Sequence, residues 1–412
     1  MINCHTRLHT NYDRMRVLFL THRIPFPPDK GDKIRSFHIM DYLAQRHDVY
    51  LATMIEDSAD VRFVARLKPR VSQILYYKIW PLGSRAKAIT AIARSHPITV
   101  NYFYRRRLQV QIDALIDEVN FDVYFCFSSP MAEYLFRSRH AGGKISRATR
   151  VMDFIDVDSY KWSQYALRSD GVKARIYQYE ARHLADYEKR IAGYFDRMFL
   201  VSEQEMAYFP GGAAATRLGV MSNGVDMEFF TPSLPIVAKS AGPSLLFTGV
   251  MDYRPNVEGV RWFVERIYPR IQALVPAVRF YIVGRRPTAE VRRLAQRSGV
   301  VVTGFVEDIR DYLADAAVCV VPLRIARGVQ NKVLEAMAMA KAVVATTAAV
   351  EGILARPGED LLVADDEESF ARAVFELLTD PWKVQRIGLN ARQCVEKYYS
   401  WDKNLRQLDT LR

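Results

Sequence analysis

Short apolar runs alternate with longer amphipathic stretches along this chain, and the alternation occurs in two series. The first series opens with Arg16–Thr21, "RVLFLT", followed by the Pro-rich loop "HRIPFPPDKGD" and an amphipathic stretch from about Ile34 to Arg46. Val49–Thr53, "SQILYYKI" near 72–79, Asp122–Phe127, Thr149–Phe154 and "RMFLVS" at 197–202 are further strand-like runs, and helical periodicity fits 105–119 and 160–193. The second series begins at Ser244–Gly249, "SLLFTG". It continues through a helix at about 257–274, strand Arg279–Gly284, helix 288–298, strand Val300–Thr303, helix 308–315 and strand Val318–Val321. A helix from about Gln330, strand Ala342–Thr346 and helices near 367–379 and 381–397 complete it. Strands that are apolar throughout, alternating with helices, predict parallel sheets covered on both faces.

This pattern implies an α/β protein of two Rossmann-like domains with a cleft between them. Residues 222–243 carry Pro232, Pro235 and Ala241-Gly242-Pro243 and read as the linker. The predicted division is a leader at 1–14, a first domain at 15–230, a second at 231–395 and a final segment at 396–412. Ligands of such sheets bind beyond the carboxyl ends of the strands. The loops after Thr21, Gly249, Gly284, Thr303 and Leu323 are therefore expected to line the site.

Composition adds limits. With 412 residues, half of them hydrophobic, the chain can fill two cores. It contains no apolar run long enough to predict a membrane-spanning helix. Residues 1–14 are polar and lack a signal-peptide core, so they read as a disordered leader or a start-site artefact, with Met15 as the expected first residue. Cys4, Cys126, Cys319 and Cys394 are widely spaced. The reading is reduced thiols in a cytoplasmic protein, and no Cys/His cluster has zinc spacing. The net charge of +12 is uneven: residues 62–150 hold 16 Lys or Arg against 5 Asp or Glu, densest at Arg105-Arg106-Arg107. A solvated surface and an anionic membrane face both fit this stretch. Nucleic acid is disfavoured, since no nucleic-acid-binding motif accompanies the charge.

The candidate chemistry is concentrated in "RIARGVQNKVLEAMAMAKA" at 324–342. An apolar strand, a turn opened by Gly328 and a helix start form an anion site, because unpaired N–H groups and the positive helix end point at a ligand above the strand. Lys332 and Glu335 are three apart and share one helix face. A cation and a carboxylate in that position suit a ligand with both phosphates and hydroxyls, such as a nucleotide sugar.

Several ordered motifs then bring a family into view. "SNGVDMEFFTP" at 222–232, "FTGVMDYRPNVEGVRWF" at 247–263, "YIVGRRP", "VVTGFVEDIRDYL" and "VVPLRIARGVQNKVLEAMA" resemble the family 4 glycosyltransferases of GT-B fold. "FPPDKGDKIR" and "DFIDVDSYKW" resemble a bacterial subgroup that accompanies exopolysaccharide and exosortase (PEP-CTERM) gene clusters. The resemblance covers Met15 onward. It implies a final helix that returns to the first domain, and a donor site in the second domain. In that site Lys332 holds the diphosphate, Glu335 accepts from the ribose hydroxyls, and Val306 reads the base through its amide. Gly249, Gly284, Arg285, Gly328 and Asn331 belong to the donor side. Arg254 is the loosely aligned diphosphate cation, since the family's usual basic positions are Val250 and Asn256 here. In the first domain, Gly31 allows approach to the reacting phosphate, and Asp156 stands where relatives place a His or Asp near the sugar. Asp153, Ser159, Lys161 and His22 are weaker candidates. One departure stands out: the family's Glu-x7-Glu motif retains Glu335, but Arg327 replaces the first Glu.

Each role has a plain alternative: a surface Glu335 and Lys332, a rim Arg254, a turn glycine at 31 or 328, a helix cap at Asp156. The implied activity is retaining, metal-independent transfer of a sugar from a nucleotide diphosphate-sugar to a glycan or polyprenyl-diphosphate-linked acceptor, with no resident cofactor. The implied location is the cytoplasm, or the inner membrane face reached through 62–150. A GT-B epimerase or hydrolase, or a nucleotide-sugar-binding partner that lost catalysis with the first Glu, remain alternatives.

Overall fold

The computed structural model describes residues 14–79, 95–210, 216–233, 242–326 and 328–411. The predicted leader and Arg327 therefore lie outside the described residues, Arg14 excepted, as does part of the basic 62–150 stretch.

The first domain is a parallel sheet of order β3-β2-β1-β4-β5-β6-β7. Its strands are β1 (Arg16–Thr21), β2 (Asp48–Ile55), β3 (Gln73–Lys78), β4 (Val123–Phe127), β5 (Thr149–Ile155), β6 (Arg197–Leu200) and β7 (Leu218–Val220). The register sets Leu18 between Tyr50 and Tyr124. Side chains alternate along β1, so Leu18 and Leu20 join one buried layer while Val17 and Phe19 join the other. Helices α1 (Gly31–Arg46), α2 (Arg106–Glu118), α3 (Asp158–Leu167) and α4 (Gly171–Tyr194) cover the two faces.

The second domain repeats the plan with order β10-β9-β8-β11-β12-β13. These strands are β8 (Ser244–Thr248), β9 (Arg279–Val283), β10 (Val300–Gly304), β11 (Val318–Val321), β12 (Val343–Ala345) and β13 (Leu362–Val363). The helices that matter below are α5 (Arg254–Trp262), α6 (Asn331–Ala338), α7 (Glu367–Thr379) and α8 (Pro381–Tyr398). After α8 the chain bends, and α9 (Trp401–Leu405) returns to the first domain. There Trp401, Leu405, Leu408 and Leu411 pack into the same core layer as Ile39, Met40 and Leu43 of α1. Tyr42 donates to Asp409 at 2.8 Å. Gly224 of the linker lies flat on this crossover, since a Cβ there would come within 2.6 Å of Trp401.

Three expectations change. The single helix at 160–193 is two helices, because Arg168-Ser169-Asp170-Gly171 breaks it and Gly171 has φ +59°. Apolar periodicity runs through that break, which concealed it. The edge strands β7 and β13 were not anticipated, being too short for any alternation to show. Arg105, one of the dense triplet of cations, is buried and donates to the carbonyls of Asn101 and Tyr104. Among the described residues no helix is long and apolar enough to cross a membrane, and Cys126, Cys319 and Cys394 are buried free thiols.

Candidate active site

The cleft floor is made by strand ends that approach too closely for side chains. A Cβ on Gly284 would fall 1.7 Å from the carbonyl oxygen of Gly249. One on Gly249 would fall 2.7 Å from Asn256 Nδ2 and 3.4 Å from Lys332 Nζ. Two glycines after β8 and β9 thus keep open the space beside Lys332.

Lys332 lies in the first turn of α6. Its Nζ donates to Asn256 Oδ1 at 2.6 Å and sits 4.7 Å from the centre of the Phe247 ring. Burial pushes its ammonium down to about 7, with Glu335 opposing the shift. Burial likewise pushes the Glu335 carboxyl up to about 7, against the pull of Lys332. Lys332 and Glu335 are both partly buried, and among the described residues the ammonium has only the neutral Asn256 oxygen as acceptor, so it is poised to gain from an incoming anion. Glu335 also faces a cavity of about 250 Å³ walled by Phe229, Phe230, Trp401, His38 and Pro28, with Asn331 at its edge. Apolar walls with few polar groups suit a nucleoside.

The first domain supplies a second helix start. α1 begins at Gly31, where a Cβ would lie 4.0 Å from Asn331 Nδ2, so the N-termini of α1 and α6 face each other. Asn331 Oδ1 accepts from Asn223 at 3.1 Å, while its Nδ2 is buried and has no partner among the described residues. Two positive helix ends and an unspent amide donor converge on one point. Asp156 meets the same loop from β5: a Cβ on Gly328 would come 2.4 Å from its Oδ1, an atom that also lacks a partner among the described residues. Burial raises its carboxyl, opposed by Lys161. The residue before it, Ile155, has φ +71°, a conformation that costs a β-branched residue energy and occurs at sites that must aim a side chain.

Residues 242–380 match the family model described as "Glycosyl transferases group 1". This segment is a group 1 glycosyl transferase domain. The whole chain is 20% identical, over 94% of its length and 97% of the other's, to a Klebsiella pneumoniae protein described as "Uncharacterized 44.6 kDa protein in cps region". Its structure is similar to that of sucrose-phosphate synthase from Thermosynechococcus elongatus, with TM-score 0.70, 18% identity and coverage of 97% and 98% of the two chains. It is also similar to Anabaena HepE in complex with UDP and glucose, with TM-score 0.66, 16% identity and coverage of 96% and 98%. The protein is a glycosyltransferase with the two-domain GT-B fold.

Within this glycosyltransferase the anticipated residues divide into groups. Lys332, Glu335, Asn331, Gly328, Gly249 and Gly284 of the transferase domain meet Gly31 and Asp156 at the cleft. Arg254 does not join them. It opens α5 with its side chain 62% exposed and held outward by Glu258 four residues on, at 2.6 Å. Arg285 crosses the cleft to Asp29 at 2.6 Å, and Arg286 to Asp57 at 3.0 Å. Val306 is half-buried in the loop after β10. Arg310, farther along that segment, donates to the Phe229 carbonyl at 3.3 Å and ties it to the cavity wall. Asp153 is structural: Arg35, fully buried, holds it at 2.8 and 3.2 Å and reaches Asn223 at 2.9 Å. Ser159 bonds to buried Glu188, and Lys161 pairs with Asp158. His22 contacts Asp32 at 3.4 Å and stacks on Phe127.

The sequence reading overlooked Lys30, Asn223 and Asn256. Lys30 precedes Gly31 and is half-buried, and its side chain makes no hydrogen bond or ion pair among the described residues. Burial, then Arg23, lowers its pKa, with smaller contributions from Arg285 and Arg286. Its one signal in the sequence was a cation directly before the loop glycine. Asn256 stood out only as a missing cation, although its amide is what positions Lys332.

Proposed function

We propose that this glycosyltransferase moves a sugar from a nucleotide diphosphate-sugar to a glycan or polyprenyl-diphosphate-linked acceptor, at the cytoplasmic membrane face, during assembly of a bacterial surface polysaccharide or exopolysaccharide. The observation that carries the donor half of this reading is the convergence of two helix N-termini beside the partly buried Lys332 and Glu335. The cps-region relative and the UDP and glucose bound to HepE support the polymer and the donor class.

As the bond between the sugar and the diphosphate breaks, negative charge grows on the leaving phosphate. Lys332, the unspent Asn331 amide and the N-termini of α1 and α6 meet that charge in place, without reorganisation. Lys30 adds a cation from the acceptor side. Glu335 takes the ribose hydroxyls as a charge-assisted acceptor. Asp156, desolvated beside Gly328, faces the electron-poor sugar carbon. Arg285–Asp29 and Arg286–Asp57 close the domains over the reacting group and limit hydrolysis. Retention of configuration, and diphosphate charge met by protein groups alone, follow from the family 4 resemblance.

Transfer assays over a panel of nucleotide sugars, with products identified by mass, test this. Glu335→Ala and Lys332→Ala should each lower turnover by at least about a hundredfold while the melting temperature holds. Wild-type rates in either variant would remove the site assignment.

A further inference from the structure

The turn between α3 and α4 leaves large apolar side chains in water. Leu167 is 78% exposed, Val172 72% and Ile176 40%. Val172 and Ile176 are four apart on α4 and share a face, and Leu167 ends α3 just across the turn. Arg168, Lys173 and Arg175 are exposed around them, with Asp170 as the acid of the turn. An apolar stripe rimmed by cations is the chemistry of an interfacial anchor on an anionic bilayer: the aliphatic groups enter the headgroup boundary and the cations meet lipid phosphates.

Its place in the fold gives the surface a purpose. α3 starts at Asp158, two residues beyond Asp156 in the cleft, and ends at Leu167. Nine helical rises separate those ends by about 14 Å. The hairpin also approaches the other cleft wall, because the Tyr165 and Tyr253 hydroxyls, the latter just before α5, are near enough to interact. One rigid helix thus connects the reacting centre to the apolar tip.

We propose that the α3–α4 tip docks on an anionic membrane surface and sets the cleft at the height of a lipid-linked acceptor's first sugars. The acceptor role rests on the proposed function, whereas the docking does not. The basic 62–150 stretch is a less suitable anchor: several of its described cations are already paired, Arg70 with Asp41, Arg137 with Glu133, Arg139 with Asp117 and Arg150 with Asp196.

The test is co-sedimentation of the full chain with phosphatidylcholine vesicles, with and without phosphatidylglycerol. The wild type should sediment with the anionic vesicles and be released by salt. The triple variant Leu167→Ser, Val172→Ser, Ile176→Ser should lose at least about tenfold in bound fraction, with nucleotide binding and melting temperature unchanged. Equal sedimentation of the triple variant, or equal wild-type binding to neutral and anionic vesicles, would overturn the proposal. So would a concentration-dependent dimer abolished by the same substitutions, which would assign the stripe to a second copy of the chain. A wild type that transfers sugar but ignores vesicles sinks this inference and leaves the sugar-transfer reading standing. One that binds vesicles but transfers nothing from any donor does the reverse.

Discussion

Binding of a nucleoside diphosphate should draw a proton into the Lys332 site. In the free protein, burial holds the Lys332 ammonium at about 7. At pH 8 only about a tenth of the molecules then carry that charge. A diphosphate beside Nζ, with the N-termini of α1 and α6 around it, favours the charged form strongly. The complex should therefore hold close to a full proton there, an uptake of about 0.9 per binding event at pH 8. Glu335 does not cancel this, because its carboxyl at about 7 is already mostly ionised at that pH. Affinity should fall about tenfold per pH unit above 8, a loss of about 1.4 kcal/mol each. Calorimetry with UDP, or whichever diphosphate binds, in buffers of differing ionisation enthalpy measures the uptake directly. Lys332→Met should weaken binding and remove both the uptake and the pH slope. Strong wild-type binding with a flat profile from pH 7 to 9 and no buffer dependence would refute the argument that Lys332 is a desolvated phosphate ligand.

Two further outcomes follow from close contacts elsewhere. Gly328→Ala puts a Cβ 2.4 Å from Asp156 Oδ1 at a backbone φ of +61°; it should cost about 1 to 2 kcal/mol and reduce kcat/KM at least tenfold, and unchanged kinetics would mean that the Asp156–Gly328 approach is not part of the working cleft. Arg35→Met strands the buried Asp153 carboxylate and should cost about 3 to 5 kcal/mol in chemical denaturation, with the double variant Arg35→Met, Asp153→Leu recovering much of it; a neutral single variant would contradict a structural role for the pair.

The sheets were legible because their central strands are apolar on both faces, so β1, β4, β8 and β11 needed no context. The loop of the candidate site could be located too, since Gly328, Lys332 and Glu335 lie within one strand–turn–helix. What escaped reading depends on distance along the chain. Asn331 is an ordinary helix-start residue until Asn223, 108 positions earlier, takes its carbonyl and turns its amide toward Gly31. Arg35 and Asp153 are 118 apart, and nothing local marks either as the other's partner. Arg254 failed for the opposite reason: a local ion pair with Glu258 satisfies it before the cleft can. The break at Gly171 was hidden because apolar spacing carried across it, and that break is what leaves Leu167 and Val172 in water.

The two kinds of contact between the domains differ in a way that bears on how substrate reaches the cleft. Near the linker, the fully buried Arg35–Asp153 pair stays within the first domain and holds Asn223, whose neutral amide bond to Asn331 is the link to the second domain. At the rim, Arg285–Asp29 and Arg286–Asp57 are 27% to 48% exposed, and pairs of that kind are worth about 0 to 1 kcal/mol each. Opening that breaks only the rim pairs is therefore inexpensive, and Asn223, fixed by buried Arg35 and bonded to Asn331, marks its pivot in the linker. On the proposed function, a diphosphate meeting Lys30 from one domain and Lys332 from the other would join the walls on the reacting side of that pivot. The weak rim pairs then need only hold the cleft shut once donor is bound, which lets the site release its nucleotide after transfer.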